Sequence, residues 1–316
     1  MPVNISIVIP VYNEEESIKE LFSQIEKGLK DISYSWEILL VNDGSTDGTL
    51  REFKKVSEGR KNYKCVNLAG NFGQSTAMSA GIDNAEGEYI ITLDGDLQND
   101  PSDIPAMLQK LIDEDWDLVA GIRANRKDGF FLRKIPSKLA NKLIRNLTGV
   151  KLKDYGCTLK VFKSDLAKNL GLYGELHRFI PILAALQGAR ITDMNVKHHH
   201  RKYGKAKYGI ERTFKVLSDL MLMLFFKKYM QKPMHFFGKL GIFVLLIGLA
   251  IDFYMLYLKI LGQDIWGKPM LILGLMLTLG GVQILTFGFL AEMQMRTYYE
   301  SQDKKTYRLK NIISGE

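Results

Sequence analysis

Cysteine is nearly absent. The two cysteines in 316 residues, Cys65 and Cys157, form neither a disulfide framework nor a metal-ligand spacing, which suits a reducing compartment. Missing too are G-x-G-x-x-G after a strand and G-x-x-x-x-G-K-[ST], so neither a dinucleotide dehydrogenase nor a P-loop ATPase is supported. No helix-turn-helix and no RNA-binding aromatic sheet signature accompanies the net charge of +8, so nucleic acid is not the expected partner. No signal-peptide pattern precedes the first apolar strand, and the amino-terminal part is expected to fold in the cytosol.

What is present is a series of short apolar runs closed by polar loops. Ile5 to Ile9, Trp36 to Val41, Tyr63 to Leu68 and Tyr89 to Leu93 read as buried strands, with a further strand at Asp117 to Ala120. A helix carrying Ile18, Leu21, Phe22 and Ile25 at helical spacing follows the first strand, opened by the acidic turn Glu14 to Glu16. Strands alternating with helices predict an α/β domain whose ligand loops leave the carboxyl ends of the strands. The most informative loop is Asp94-Gly95-Asp96. Two carboxylates at i and i+2 past a strand end can grip one hard divalent cation, Mg²⁺ or Mn²⁺.

Four motifs in order resemble one family. Val8-Ile9-Pro10-Val11-Tyr12-Asn13-Glu14, Val41-Asn42-Asp43-Gly44-Ser45-Thr46-Asp47-Gly48-Thr49, Asn71-Phe72-Gly73 and Asp94-Gly95-Asp96-Leu97-Gln98 look like those of the family 2 inverting glycosyltransferases with a GT-A fold. The nearest likeness is to the polyisoprenyl-phosphate group, which includes dolichyl-phosphate mannose synthases and bactoprenol glucosyltransferases. That resemblance implies transfer of a hexose to undecaprenyl phosphate, with glucose from UDP-glucose the first expectation. GDP-mannose, UDP-N-acetylglucosamine or an amino-sugar nucleotide are the alternative donors, and a catalytically silent membrane scaffold is the alternative of another class. A processive polysaccharide synthase is disfavoured, because Gln-x-x-Arg-Trp is absent.

The resemblance also implies roles. Asp94, Asp96 and Gln98 correspond to the metal and diphosphate ligands, and Pro10, Tyr12, Glu14, Asp43 and Gly73 to the nucleotide pocket. Arg201-x-x-Gly204-x-Ala206-Lys207 corresponds to the basic loop over the diphosphate, with Ala206 where the family usually has serine. Arg123 and Arg133 correspond to the acceptor-phosphate pair, and Asp154 to an aspartate near sugar and acceptor. The residues alone read Asp47-Gly48-Thr49 as turn and cap chemistry.

The carboxyl-terminal third is of another kind. Residues 236–258 are broken only by Lys239 and Asp252, and residues 270–291 carry no charge. Each is about 33 Å long as a helix, against a hydrocarbon core of about 30 Å. Lys227, Lys228, Lys232 and Lys239 before the first span, and Arg296, Lys304, Lys305, Arg308 and Lys310 after the second, outnumber Lys259 and Lys268 between them, so both termini are expected in the cytoplasm. The predicted organisation is a cytosolic GT-A domain at 1–209, an amphipathic interfacial helix at 210–232, two spans within 233–292 and a tail at 293–316, anchored in the plasma membrane. Gly241 and Gly248, and Gly274, Gly281 and Gly288, recur at seven residues. Such faces are expected to pack the two spans together or to join protomers into a homo-oligomer.

Overall fold

A computed structural model describes residues 4–123, 145, 150, 152–203, 225, 229 and 232–301. The chain divides into two compact units, Met1–Leu220 and Met221–Glu316. Of the sequence expectations, Arg133, Lys207 and nearly all of the amphipathic stretch 210–232 lie outside the described residues.

The first unit is built on a seven-stranded sheet. Its strands are β1 (Ile5–Val11), β2 (Trp36–Asn42), β3 (Tyr63–Asn67), β4 (Tyr89–Thr92), β5 (Leu118–Arg123), β6 (Lys160–Lys163) and β7 (Ile191–Val196). Their order is β3-β2-β1-β4-β6-β5-β7. β1 is buried along its whole length, as its unbroken apolar run demands of a strand covered on both faces. Pairing is parallel except at β6, which runs antiparallel to both β4 and β5. Six strands therefore end at one edge, and the residues just before β6 arrive at that same edge. The order reverses beside β1, where open α/β sheets leave a crevice for ligands.

Helices α1 (Ile18–Gly28), α2 (Thr49–Ser57), α3 (Gln74–Asp83), α4 (Ile104–Asp113), α5 (Ser164–Lys168) and α6 (Ile180–Leu186) connect the strands. α1 buries Ile18, Leu21, Phe22 and Ile25, one stripe of an amphipathic helix. Phe22 is the centre of that contact, with its ring 5.8 Å from Phe53 and 5.0 Å from Tyr63.

The second unit holds α7 (Met234–Ile260) and α8 (Pro269–Ser301), each long and apolar enough to cross a membrane. Both exceed the spans read from hydropathy. The glycine repeats turn inward. A Cβ on Gly248 would lie 2.4 Å from the Thr278 backbone nitrogen, and one on Gly281 would lie 2.6 Å from the Leu245 backbone. Gly241, Gly274 and Gly288 likewise face the opposite helix. Between the two expectations for this repeat, packing within the hairpin is what the structure contains. Asp252 sits on the same seam: Thr278 Oγ1 donates to its Oδ2 at 2.7 Å, and its Oδ1 is buried without a hydrogen-bond partner among the described residues.

Candidate functional site

The loops after β1 and β2 are fastened to each other. Asn13, with φ of 54°, donates from its backbone to Ser45 Oγ at 3.0 Å and accepts from the Thr46 backbone at 2.8 Å. Thr49 Oγ1 accepts from the Glu14 backbone at 2.9 Å. The Asp47 carboxylate takes both the backbone and the hydroxyl of Thr49, at 3.0 and 2.5 Å, which closes the turn leading into α2. Gly44, with φ of 69°, lies against Gly70, and a Cβ there would come within 2.5 Å of that backbone.

Asp43, at the end of β2, is buried. Its two oxygens accept the backbone N–H groups of Phe72 and Gly73 at 2.8 and 3.0 Å. Asp43, expected in the nucleotide pocket, thereby shapes the Asn71–Gly73 turn, where Gly73 has φ of 90°. Pro10 lies buried in β1 opposite Val41, and Tyr12 follows it half-buried at the crevice.

Beyond β4, Asp94 and Asp96 are both partly buried. Gln74, the first residue of α3, donates its side-chain amide to Asp94 Oδ1 at 2.8 Å. Withdrawal from water, followed by the charge of Asp96, pushes the Asp94 carboxyl up to about 7. Asp96 is raised as well, chiefly by burial. Leu97 adopts φ of 61° with its side chain in the core, which fixes the turn between Asp96 and Gln98. Gln98, expected among the metal and diphosphate ligands, lies beside Asp96 and uses its backbone and the nitrogen end of its side chain within the loop. Its amide donates to the His199 carbonyl at 3.5 Å, while its backbone N–H donates to Asp96 Oδ1 at 3.2 Å.

No group of three His, Cys, Asp or Glu side chains among the described residues could hold a metal. Two crowded carboxylates nevertheless fit a divalent cation, since Mg²⁺ commonly takes one or two carboxylates and keeps its other positions for water and phosphate oxygen. Burial raises both carboxyls, and for Asp94 the neighbouring charge of Asp96 adds to it. Because the folded pKa of Asp94 lies above its unfolded value, the protonated form is favoured by folding, and stability contributed below pH 4 is lost as pH rises through about 7. Metal-free protein should therefore melt lower at pH 8 than at pH 5.5, by a margin that Asp94→Asn removes and Mn²⁺ at pH 8 restores in the wild type. An equal pH response in both proteins would refute this.

Arg201 closes the crevice on the other side. Its Nη2 donates to Glu14 Oε1 at 2.7 Å, its Nε donates to the Tyr203 carbonyl at 3.0 Å, and its Nη1 lies 4.0 Å from Asp96 Oδ2. The segment leading to Arg201 is pinned to the aspartate loop by a bridge between Asn99 and His198, by the His199 backbone on Gln98 O at 2.8 Å, and by His199 Nε2 on Asp100 at 3.1 Å. His198 and His199 thus align two loops.

Arg123, the last residue of β5, meets Asp154 rather than standing by itself: Nε donates to Oδ2 at 2.6 Å and Nη2 to Oδ1 at 2.8 Å. Two further polar groups lie outside the sequence expectations. Thr158 accepts from Asn99 Nδ2 at 2.8 Å on its hydroxyl and from Thr92 Oγ1 at 2.7 Å on its carbonyl. Lys160, only 2% exposed, pairs with Thr92 in register and donates its ammonium to the Cys157 carbonyl. Burial presses its pKa below the usual lysine range. A lysine opening a four-residue strand gives no local sign of such burial, and only the antiparallel return of β6 brings it beneath the site.

Comparison with known proteins agrees with this geometry. Residues 6–171 match the model of glycosyl transferase family 2. Over 319 residues the chain is 46% identical to a dodecaprenyl-phosphate galacturonate synthase of Rhizobium johnstonii, covering 99% of this chain and 94% of that protein. It is 33% identical over 315 residues to an undecaprenyl-phosphate 4-deoxy-4-formamido-L-arabinose transferase of Salmonella choleraesuis, with the same coverage. In fold it is similar to glucosyl-3-phosphoglycerate synthase of Mycobacterium tuberculosis, with a TM-score of 0.55 at 16% identity over 71% of this chain and 78% of the other. A GT-A sheet with paired aspartates at its carboxyl edge, a family match from β1 past β6, and relatives matched along nearly the whole chain converge: this protein belongs to glycosyl transferase family 2 and is a glycosyltransferase.

Proposed function

We propose that the protein moves a sugar from a nucleoside-diphosphate donor to a polyprenyl phosphate, with inversion, at the cytoplasmic face of a membrane. One observation carries the reading. Asp94 and Asp96 on one side and Arg123 and Arg201 on the other meet at one sheet edge, in a chain that also has two membrane-length helices. Whole-length relatives named for dodecaprenyl and undecaprenyl phosphate support the lipid acceptor.

In this reading Asp94 and Asp96 hold Mg²⁺ or Mn²⁺, which when bound neutralises the departing diphosphate. Arg201 docks the diphosphate, steered by Glu14, and Lys207 adds a second cation. Pro10, Tyr12, Asp43 and Gly73 frame the nucleotide. Arg123 and Arg133 receive the acceptor phosphate, arginine being suited to bidentate phosphate contacts. α7 and α8 cross the bilayer as a hairpin with both chain ends cytoplasmic, a placement supported by the excess of Lys and Arg outside the tip.

The sugar we assign is galacturonate, after the relative at 46% identity; a 4-deoxy-4-formamido-pentose, after the relative at 33%, is the second choice. Glucose from UDP-glucose is not carried forward, because neither relative is named for it. Mass spectrometry of the lipid product, after incubation with undecaprenyl phosphate and a panel of nucleotide sugars, tests the assignment. A mass gain of one hexuronate is expected from nucleotide-activated galacturonate. A glucosyl product alone would reverse the choice, and no sugar-lipid from any donor would defeat the acceptor.

A further inference from the structure

The Asp154 carboxylate is saturated with donors. Oδ2 accepts from Arg123 Nε at 2.6 Å and from the Arg123 backbone at 3.4 Å; Oδ1 accepts from Arg123 Nη2 at 2.8 Å and from the Gly156 backbone at 3.0 Å. A carboxylate has about four lone-pair sites, and four N–H groups point at them here. The pair is also sheltered, with side-chain exposures of 15% for Arg123 and 9% for Asp154. Gly156 completes the arrangement, because a Cβ there would come within 2.9 Å of Arg123 Nη2. The turn itself is held by Tyr155 Oη, which donates to the Val150 carbonyl at 2.5 Å, and by the Lys153 backbone on Asp193 at 2.9 Å.

From this geometry we infer that Asp154 is not the proton acceptor of the transfer but the positioning residue of Arg123, and that the reaction uses no protein base at this place. The inference rests on the proposed acceptor, a polyprenyl phosphate. A phosphate monoester loses its second proton with a pKa of about 6 and arrives as its own nucleophile. One of its oxygens forms the bond to the anomeric carbon as the bond from that carbon to the donor diphosphate breaks. The electron pair leaves with the nucleoside diphosphate. No proton moves: a dianionic monoester becomes a monoanionic diester, and the diphosphate carries away the additional negative charge. An aspartate locked against a guanidinium serves this step by fixing the plane and reach of that guanidinium, since a bidentate carboxylate sets arginine orientation as a single contact does not.

The experiment uses full-length protein in detergent with whichever nucleotide sugar the wild type accepts, so absence of wild-type transfer condemns the function and leaves this inference aside. Asp154→Asn and Arg123→Lys should each raise the acceptor KM by about 10-fold or more, with the smaller effect on kcat. The acid limb of kcat/KM should keep its wild-type position in both. Loss of that limb in Asp154→Asn would show a base and overturn the inference. A measurement on the wild type guards against misfolded variants. Replacing the acceptor phosphate with a phosphonate of higher second pKa should carry the acid limb upward with it, whereas a limb that stays in place belongs to an enzyme carboxylate and overturns the inference as well.

Discussion

Asp96→Ala is expected to lower kcat/KM for sugar transfer by about 10³-fold or more while the protein still folds, because the leaving diphosphate would depart without a fixed counter-charge. Folding survives for a local reason. Asp96 is partly exposed, and its alanine variant removes a crowded negative charge from beside Asp94, so the metal-free protein should melt no lower than the wild type. The companion readout is Mn²⁺ affinity, followed by the electron paramagnetic resonance of the free ion, which should collapse together with activity. Near-normal transfer by the variant, or full wild-type rate in chelator, would remove the cation from the reaction. Glu14→Gln gives a graded contrast: it loosens Arg201 without touching the carboxylate pair, so it should impair donor use and leave Mn²⁺ binding in place.

The second large effect belongs to the hairpin, where adjacent glycines supply their own control. A side chain on Gly281 would run into the Leu245 backbone, whereas a Cβ on Gly280 meets nothing within 4 Å. Gly281→Leu should therefore force α7 and α8 apart and destabilise the hairpin by about 3 kcal/mol, the upper part of the usual range for overpacking. Gly280→Leu should change little. Thermal or denaturant unfolding in mild detergent would compare them, and equal melting of the two variants would mean that the glycine face does not pack. Nucleotide binding by the sheet unit should be spared in both.

Much of this arrangement was legible in the chain because it is local. A strand buried on both faces must be an unbroken apolar run, so β1, β2 and β4 announce themselves, and the loops that follow them carry Glu14, Asp43, Asp94 and Asp96. β6 and β7 do not. Lys160–Lys163 is four residues flanked by lysines, and Ile191–Val196 mixes polar and apolar positions without a clear period, so neither gives a strand signal above its surroundings. The same limit applies inside the site. Gln74 on Asp94 joins residues 20 apart, Arg123 on Asp154 joins residues 31 apart, and Arg201 on Glu14 joins residues 187 apart. Residue type and order point to a cation here and a phosphate there, but only topology reveals that one arginine's partner is an aspartate of the same chain.

The seam between α7 and α8 also bears on how the hairpin finds one alignment. A glycine row repeating every seven residues is nearly self-similar: sliding one helix by about 10 Å sets glycine opposite the partner backbone again, and the row by itself tolerates several registers. Asp252 does not repeat. Its partner Thr278 has a leucine seven residues away on either side, Leu271 and Leu285, so each slipped register would leave a carboxyl group facing an aliphatic side chain in hydrocarbon. The glycines act as an evenly ruled scale and the aspartate as its zero mark.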